Sequence, residues 1–282
     1  MNRGIEANPG FESVDTPNPE SPFVVMKFGG RSVASASNWS SITALLRERI
    51  NEGLTPVVVH SAIAGISNTL EELLLAGVSG GGQEQLDRIE AVHFDLAREL
   101  KVDTALLQEH IDVLRQLIDG VRLVGEVNPP IHARIMATGE LLATTLGAAY
   151  LVTQGFNAQW RDARTLLESA EGINVKERAE FLAATCEFDP DPLLQEELRD
   201  VDGFIVTQGF IARNFSGDTV LLGRGGSDTS AAYLAARLEA RRLEIWTDVP
   251  GFFSSDPKIV PAARLLRRLN YSEAQEISSA GG

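Results

Sequence analysis

The sequence Gly223-Arg224-Gly225-Gly226-Ser227-Asp228 runs directly into a helix-forming stretch, which we predict over Thr229 to Arg242. Glycines that open a helix let the backbone turn sharply and approach a ligand closely. The first N–H groups of a helix lack partners within it and point towards any anion that binds there. This loop also carries a guanidinium, a hydroxyl and a carboxylate. It therefore indicates a phosphate-binding turn, although a purely structural turn would explain the glycines alone.

The composition is that of a soluble globular protein. The chain has 282 residues, of which 44% are hydrophobic, enough to bury a large core in one large domain or two small ones. No apolar run approaches the roughly 20 residues of a membrane helix, so we expect no membrane association. Residues 1–22 lack the apolar core of a signal peptide and are rich in Pro, Asn, Ser and Glu. We interpret them as a disordered tail that precedes a domain over residues 23–282.

The lone cysteine and the net charge exclude several classes of protein. Cys186 cannot form an internal disulfide or a cysteine metal cluster, which suits a reducing cytoplasm. A net charge of −14 disfavours nucleic-acid binding, since phosphate backbones require a basic face. An acidic chain can still bind a nucleotide where basic groups and Mg²⁺ gather locally.

Six short apolar runs, each ending at a polar or glycine-rich loop, predict β-strands. They are Phe23–Phe28, Val57–Ser61, Asn157–Arg161, Phe204–Gln208, Val220–Leu222 and Leu243–Thr247. Helical periodicity lies between most of them, for example over Ser37–Asn51 and Gly139–Gln154, with Gly155 as a stop signal. This alternation predicts an α/β fold with a mainly parallel sheet covered on both faces. In such sheets ligands bind beyond the carboxyl ends of the strands, where this chain places its glycines.

Two long amphipathic stretches, Glu84–Leu100 and Thr104–Val124, follow one another without an intervening strand. We predict an antiparallel helical pair that projects beside the sheet as a lid or an oligomer contact. A homo-oligomer is therefore compatible with the sequence.

Several strand ends carry residues that suit phosphoryl transfer. Lys27 lies two residues before the Gly29-Gly30 turn and can place a positive charge over it, although a solvated lysine is the alternative. Ser61 and Ser67 lie in a small-residue loop before a helix predicted to begin near Thr69. Both can bind phosphate or a carboxylate, and helix capping is the alternative for Ser67.

Two further segments suit the binding of a small amino acid and a nucleotide. Glu140 is predicted in the first turn of its helix, where it either recognises a substrate ammonium or complements the helix dipole. In Trp246–Lys258, a Pro-Gly turn, two aromatics and a lysine suit adenine and phosphate. Phe252 or Phe253 could equally belong to the core.

In combination these segments carry a family resemblance. The chain resembles the aspartokinases of the amino-acid kinase superfamily from about Val24 to its last residue. The motifs that match in order and spacing are Lys27–Gly30, Gly139-Glu140, Thr207–Ile211, Gly223–Asp228 and Trp246–Gly251 with Asp256-Pro257. The resemblance implies a three-layer αβα sandwich with a mainly parallel central sheet. It also implies transfer of the ATP γ-phosphoryl group to the β-carboxylate of L-aspartate, with Mg²⁺, in the biosynthesis of lysine, threonine and methionine.

The resemblance also implies roles for individual residues. Catalysis is assigned to Lys27, which stabilises charge on the phosphoryl group, and to Asp228, which orients Lys27 or the metal-bound nucleotide. Residues assigned to ATP are Lys27, Phe28, Gly29, Gly30, Ser61, Thr247, Asp248, Phe253 and Lys258. Residues assigned to the substrate are Ser67, Glu140, Phe210, Arg224 and Ser227. No residue is assigned as a metal ligand. We interpret the four histidines as surface or satisfied core residues.

The sequence departs from the family pattern at two places. The threonine that follows Lys-Phe-Gly-Gly in the family is Arg31 here. The chain ends at Gly282, before a lysine-bearing segment and the paired ACT modules of many members, so we expect no feedback inhibition by lysine or threonine. Two alternatives stay open: a kinase for another amino acid such as glutamate, and a catalytically weak or silent fragment.

Overall fold

The computed structural model describes residues 18–171, 176–223, 225–247, 251–256 and 259–279, which form two compact units divided after Trp246. The first unit contains a five-stranded sheet in the order β3-β4-β2-β1-β7, and every neighbouring pair is parallel. The strands are β1 (Phe23–Phe28), β2 (Thr55–His60), β3 (Ala158–Trp160), β4 (Phe204–Gln208) and β7 (Arg242–Trp246).

Helices cover both faces of this sheet. Successive side chains of a strand point to opposite faces, and every residue of β1 and β4 is buried. The helices of the first unit are α1 (Ala36–Asn51), α2 (Ile66–Val78), α3 (Gln83–Leu100), α4 (Gln108–Val124), α5 (Pro129–Thr153), α6 (Ala163–Leu166), α7 (Glu177–Leu182), α8 (Pro192–Arg199) and α9 (Gly226–Arg237). The α/β class and the parallel sheet flanked by helices are confirmed.

The predicted strand over Val220–Leu222 belongs to a different sheet. Residues Thr219–Leu221 form β6, which pairs in antiparallel fashion with β5 (Ile211–Arg213) and with no strand of the main sheet. The sequence analysis missed β5 because the run that contains it is short and follows β4 after only two residues.

Helix α5 is longer than predicted and begins ten residues earlier. Asn128 caps its first turn by accepting a hydrogen bond from the N–H of Ile131, and Pro129 occupies the first helical position. Its length and apolarity would suffice to cross a membrane, but 83% of its most apolar window is buried inside the protein. The core position of α5 accounts for its apolar sequence.

The two predicted helices exist as α3 and α4, which are joined by a short 3₁₀ turn over Thr104–Leu107. They are not the projecting antiparallel pair that the sequence predicts, because both pack mainly against α2 and α5 rather than against each other. Their apolar faces, including Leu86, Ile89, Leu114 and Ile118, belong to the core of the protein. The absence of a strand between the two stretches, on which the prediction of a projecting pair rests, is therefore compatible with helices that pack into the core.

Other predicted boundaries also shift. Helix α9 begins at Gly226 and ends at Arg237, since Arg242 already starts β7. Residues 18–22, assigned to the disordered tail, form a turn in which the Pro22 carbonyl accepts a hydrogen bond from the Thr55 N–H. Residues 1–17 of that tail lie outside the described residues.

The second unit consists of a short antiparallel bridge and one helix. Phe253 pairs with Leu265, and α10 spans Tyr271–Ser279. Asn270 and Glu273 cap this helix reciprocally, because each side chain accepts a hydrogen bond from the backbone N–H of the other.

Gly147 lies where α5 packs closely against α1 and β2, so a side chain at this position should destabilise the protein. A Cβ atom at Gly147 would lie 2.4 Å from Cη2 of Trp39 and 2.7 Å from Nε2 of His60. We expect Gly147→Ala to lower the free energy of unfolding by about 1–3 kcal/mol, as overpacked cores do. Gly120→Ala on α4 is the matched control, since a Cβ there meets nothing within 4 Å, and it should add about 0.5–1 kcal/mol. Urea unfolding measures both, and equal effects would contradict this packing.

Candidate active site

A cavity of about 810 Å³ opens at the carboxyl edge of the main sheet. The ends of β1 and β2, the first turns of α2 and α9, and the middle of α5 all contribute to its wall. Of the predicted site residues, it is lined by Lys27, Ser61, Ser67, Glu140, Phe210, Ser227 and Asp228. The structure therefore brings together residues from six separate segments of the sequence.

Lys27 and Asp228 form an ion pair in this cavity, with 2.6 Å between Nζ and Oδ1. Lys27 projects from the central strand β1, and its side chain is only 10% exposed, whereas that of Asp228 is 51% exposed. Solvent screens the half-exposed carboxylate, so the pair contributes little to stability and chiefly fixes the direction of the ammonium group. The role of Asp228 in orienting Lys27 or the metal-bound nucleotide stays a prediction.

The Gly29-Gly30 turn lies against the loop that follows β2. A Cβ atom at Gly30 would lie 2.6 Å from the Ala62 carbonyl oxygen, so only glycine permits this approach. The Gly30 carbonyl accepts a hydrogen bond from the Ala64 N–H, and the Gly29 N–H donates to the Trp246 carbonyl at 3.4 Å. Part of the hydrogen-bonding capacity of this turn is thus used to join neighbouring backbone segments.

The first turn of α9 is held against the turn that follows β4. Gly225, with φ of 74°, precedes the helix in a left-handed conformation that favours glycine. Cβ atoms at Gly209 and Gly226 would lie 2.6 Å from Cβ of Ser227 and 2.5 Å from Cδ2 of Phe210, respectively. This contact presents Ser227 and Asp228 to the cavity. Arg224, in the same turn, lies outside the described residues.

Phe210 occupies a strained backbone conformation at the cavity wall. Its φ of 69° is unusual for a residue with a large side chain and costs about 1–3 kcal/mol. The conformation is held because the Phe210 N–H donates to Oγ of Ser230 and the Phe210 carbonyl accepts from the Leu222 N–H, each at 2.8 Å. Strain of this kind is concentrated at functional sites.

Glu140 is a buried carboxyl group with one unused oxygen. It is 3% exposed; its Oε1 accepts a hydrogen bond from the Ala62 N–H at 3.2 Å, and its Oε2 has no partner among the described residues. Burial raises the pKa of Glu140 from the ordinary 4.5 to about 8. A buried, unsatisfied acceptor beside a cavity fits a cationic ligand such as an ammonium group.

The helix-dipole explanation of Glu140 is wrong. Because α5 begins at Pro129, Glu140 lies in the middle of the helix, far from its first turn. Gly139 brings α5 close to α2, since a Cβ there would contact Ala62, Ile66 and Leu70 at 3.0–3.2 Å. That approach lets Glu140 reach the Ala62 N–H.

Ser67 is not a helix cap. Helix α2 begins at Ile66, before the predicted start, and its cap residue is Gly65 with φ of 88°. Ser67 therefore lies inside the first turn and lines the cavity together with Ser61. Its hydroxyl has no hydrogen-bond partner among the described residues, which leaves it free for a ligand.

Three predicted nucleotide residues of the first unit, Phe28, Gly29 and Gly30, are not among the residues that line this cavity. Phe28 is buried in the core. Thr247 and Phe253 belong to the second compact unit. Asp248 and Lys258 lie outside the described residues.

The sequence analysis missed other cavity residues. These are Asn68, Glu71, His132, Met136, Arg178, Leu182 and Leu221. His132 and Met136 precede Glu140 by eight and four residues, so all three share one face of α5. His132 pairs with Glu71 of α2, with 3.1 Å between Nε2 and Oε1. The Asn128-Pro129-Pro130 start signal, once recognised, would have revealed this face.

The histidines differ from one another more than predicted. His60 and His93 are buried, and burial lowers the pKa of each to about 4, so both are neutral near pH 7. Their Nδ1 atoms contact backbone carbonyls, but their Nε2 atoms have no partner among the described residues. His132, in contrast, lines the cavity, which the sequence did not predict.

Comparison with known proteins identifies a family whose members share both sequence and fold with this chain. The model of the amino acid kinase family matches residues 22–282. The chain is 34% identical over 267 residues to the lysine-sensitive aspartokinase 3 of Escherichia coli (strain K12), covering 93% of this chain and 57% of that protein. It is 34% identical over 266 residues to the chloroplastic aspartokinase 3 of Arabidopsis thaliana, covering 91% of this chain and 46% of that protein.

A solved structure shares the fold. Escherichia coli aspartokinase III in complex with aspartate and ADP superposes with a TM-score of 0.78 at 31% identity, covering 91% of this chain and 56% of that one. The chain thus spans about half the length of the relatives that it matches.

The pKa of Glu140 predicts how its replacement affects stability. Between pH 4.5 and about 8 the folded protein retains a proton that the unfolded chain has lost, so this group destabilises the fold progressively as pH rises through that window. Glu140→Gln removes the effect and keeps an acceptor for the Ala62 N–H. We expect its gain in melting temperature over the wild type to be larger at pH 9 than at pH 5.

Circular dichroism melts at both pH values measure this difference. Glu140→Asp, which retains an ionisable carboxyl group at the same place, serves as the control and should keep the wild-type pH dependence. A gain that is equal at pH 5 and pH 9 would show that Glu140 is ionised in the folded protein at both values.

Proposed function

The chain belongs to the amino acid kinase family, and from this premise we propose that it transfers the γ-phosphoryl group of ATP to the β-carboxylate of L-aspartate. The product would be 4-phospho-L-aspartate, in the first step of lysine, threonine and methionine biosynthesis in the cytoplasm. The observation that carries the proposal is that one cavity holds the Lys27–Asp228 pair, Ser227 and the unsatisfied carboxyl group of Glu140.

Glu140 supplies the acceptor site for an α-amino acid. An ammonium group that enters the cavity finds Oε2 without another partner, and the bound cation favours the ionised carboxylate. A charge-assisted hydrogen bond in a buried site is stronger than a neutral one. This preference disfavours acceptors without a free ammonium group, such as acetylglutamate or carbamate.

Lys27 and the first turn of α9 supply the site for the transferring group. The ammonium of Lys27 and the positive end of the helix both stabilise the negative charge that spreads over the phosphoryl oxygens. Ser61, Ser67 and Ser227 add hydroxyl groups along the same wall. Positioning and electrostatics carry most of the catalysis in phosphoryl transfer.

The acceptor needs no general base. A carboxylate with an ordinary pKa near 4 is already ionised and nucleophilic at neutral pH. Both deeply buried histidines are neutral there, and neither lines the cavity. The site therefore needs cationic and hydrogen-bonding groups, and those are what it contains.

Mg²⁺ fits the reaction as a partner of the nucleotide. The described residues contain no group of three or more His, Cys, Asp or Glu side chains that could hold a metal ion by themselves. Mg²⁺ is usually bound by one or two carboxylates together with substrate phosphates, and Asp228 is the exposed carboxylate beside Lys27. The ion would neutralise charge on the phosphates.

The similar Escherichia coli structure supports aspartate as the acceptor, because it was solved with aspartate and ADP. An assay of ADP release tests the choice of acceptor directly, with aspartate, glutamate or N-acetylglutamate in the presence of ATP and Mg²⁺. We expect turnover with aspartate to exceed that with either alternative. Preference for glutamate would identify a different amino-acid kinase, and no turnover with any of the three would favour a silent fragment.

Replacement of Lys27 should cause a large loss of catalytic rate. We expect Lys27→Ala to lower kcat by about 10²–10³, the usual cost of removing one preorganised electrostatic contact. Arg88→Ala is the control, because Arg88 is an exposed cation on α3 that does not line the cavity. If circular dichroism shows a folded Lys27→Ala variant with wild-type kcat, the catalytic role of Lys27 is refuted.

A further inference from the structure

A buried polar network joins the two walls of the cavity behind the residues that face the ligand. Its centre is the hydroxyl group of Thr144, which is fully buried on α5, one turn after Glu140. Oγ1 of Thr144 accepts hydrogen bonds from Nε2 of Gln208 at 2.7 Å and from Nε1 of Trp160 at 3.0 Å. It donates to the Glu140 carbonyl at 2.8 Å.

The donor and the acceptor of each hydrogen bond in this network can be assigned. Oε1 of Gln208 accepts from the Ala163 N–H at 2.7 Å, which fixes the orientation of the amide. The amide nitrogen must then donate to Thr144, so the hydroxyl proton of Thr144 is left for the helix carbonyl. Thr144 and Gln208 are both fully buried, and every polar atom of the two side chains has a partner. Such a network holds its members in one arrangement.

Each end of the Thr144–Gln208 bond leads to a cavity residue. On α5, Thr144 lies one turn after Glu140. On β4, Gln208 is the last residue of the strand, and only Gly209 separates it from the strained Phe210. That turn is itself fixed to α9 through Ser230, whose Oγ accepts from the Phe210 N–H and donates to the Gly226 carbonyl. Movement at this bond would change the distance between Glu140 and the wall that carries Phe210, Ser227 and Asp228.

We propose that Thr144 and Gln208 are positioning residues that set the width of the acceptor half of the cavity, a role that rests on the proposed aspartate kinase activity. Neither side chain lines the cavity, so both act through Glu140 and Phe210. Loss of the Thr144–Gln208 hydrogen bond weakens acceptor binding and selectivity more than nucleotide binding.

The test is a comparison of Thr144→Val with Thr144→Ser. Valine has nearly the same shape but removes the hydroxyl, whereas serine restores it. We expect Thr144→Val to raise the KM for aspartate about tenfold, the effect of one buried hydrogen bond. Its KM for ATP should stay within twofold, and its preference for aspartate over glutamate should fall. Thr144→Ser should stay within twofold of the wild type in all three measurements.

Thr43→Val is the matched structural control. Thr43 is also buried on a helix, and its Oγ1 donates to the carbonyl four residues earlier, that of Trp39, at 2.8 Å. The Thr43 hydroxyl joins no second element among the described residues. A general cost of losing a buried hydroxyl would appear in both valine variants. An equal rise in the KM for aspartate with Thr43→Val, or an unchanged KM in folded Thr144→Val, would overturn the proposal.

A second measurement separates this inference from the proposed function. If the wild type neither binds nor phosphorylates aspartate, the proposed function fails. The titration of Glu140 in ¹³C-glutamate-labelled protein then reports its placement without any substrate. Thr144→Val should lower the pKa of Glu140 towards 4.5, because a loosened α5 admits water to the carboxyl group. An unchanged titration would show that Thr144 does not position Glu140.

Discussion

The site depends on close backbone contacts at the carboxyl edge of the sheet that only glycine permits. Gly30 contacts the loop after β2, Gly139 brings α5 to α2, and Gly209 and Gly226 join the β4 turn to α9. A Cβ atom at these positions would approach a neighbouring atom to between 2.5 and 3.0 Å, closer than packed atoms tolerate. Without these contacts, the elements that carry Lys27, Glu140 and Asp228 would not come close enough for the three side chains to line one cavity.

Two acidic groups of the cavity have a partner within the protein before a ligand arrives. Asp228 forms an ion pair with Lys27, and Oε1 of Glu71 lies 3.1 Å from Nε2 of His132. Burial favours the protonated form of Glu140 up to about pH 8. The overall charge of −14 repels anions at long range, so attraction of a nucleotide depends on local cations and helix termini. A ligand that carries both an ammonium and carboxylates suits these charges, because it gives Glu140 a cation and gives the basic groups an anion.

Sequence reasoning predicted the parallel sheet and seven of the residues that line the cavity, because both depend on local patterns. Apolar runs that end in glycine identify strand ends, and strand ends of a parallel sheet converge. It could not predict the length of α5, because it began the helix at Gly139 and did not recognise the Asn128 cap. As a result, it placed Glu140 in the first turn of the helix and did not identify His132 as a cavity residue. It also missed the Thr144–Gln208 bond, because these residues are 64 positions apart and the Thr207–Ile211 motif, which contains Gln208, does not indicate a partner on α5. Contacts of that kind arise only from tertiary packing.

The glycine-rich turn at residues 223–228 can be interpreted as a structural turn or as a phosphate-binding turn, and the two interpretations are compatible. Gly226 serves packing, because its missing side chain makes room for the ring of Phe210. Gly223 and Gly225 serve conformation, with φ of 73° and 74°. The result of both is that Ser227 and Asp228 face the cavity from the positive end of α9. The glycines of this structural turn therefore also suit the ligand-binding turn that we propose, because the packing directs polar side chains towards Lys27.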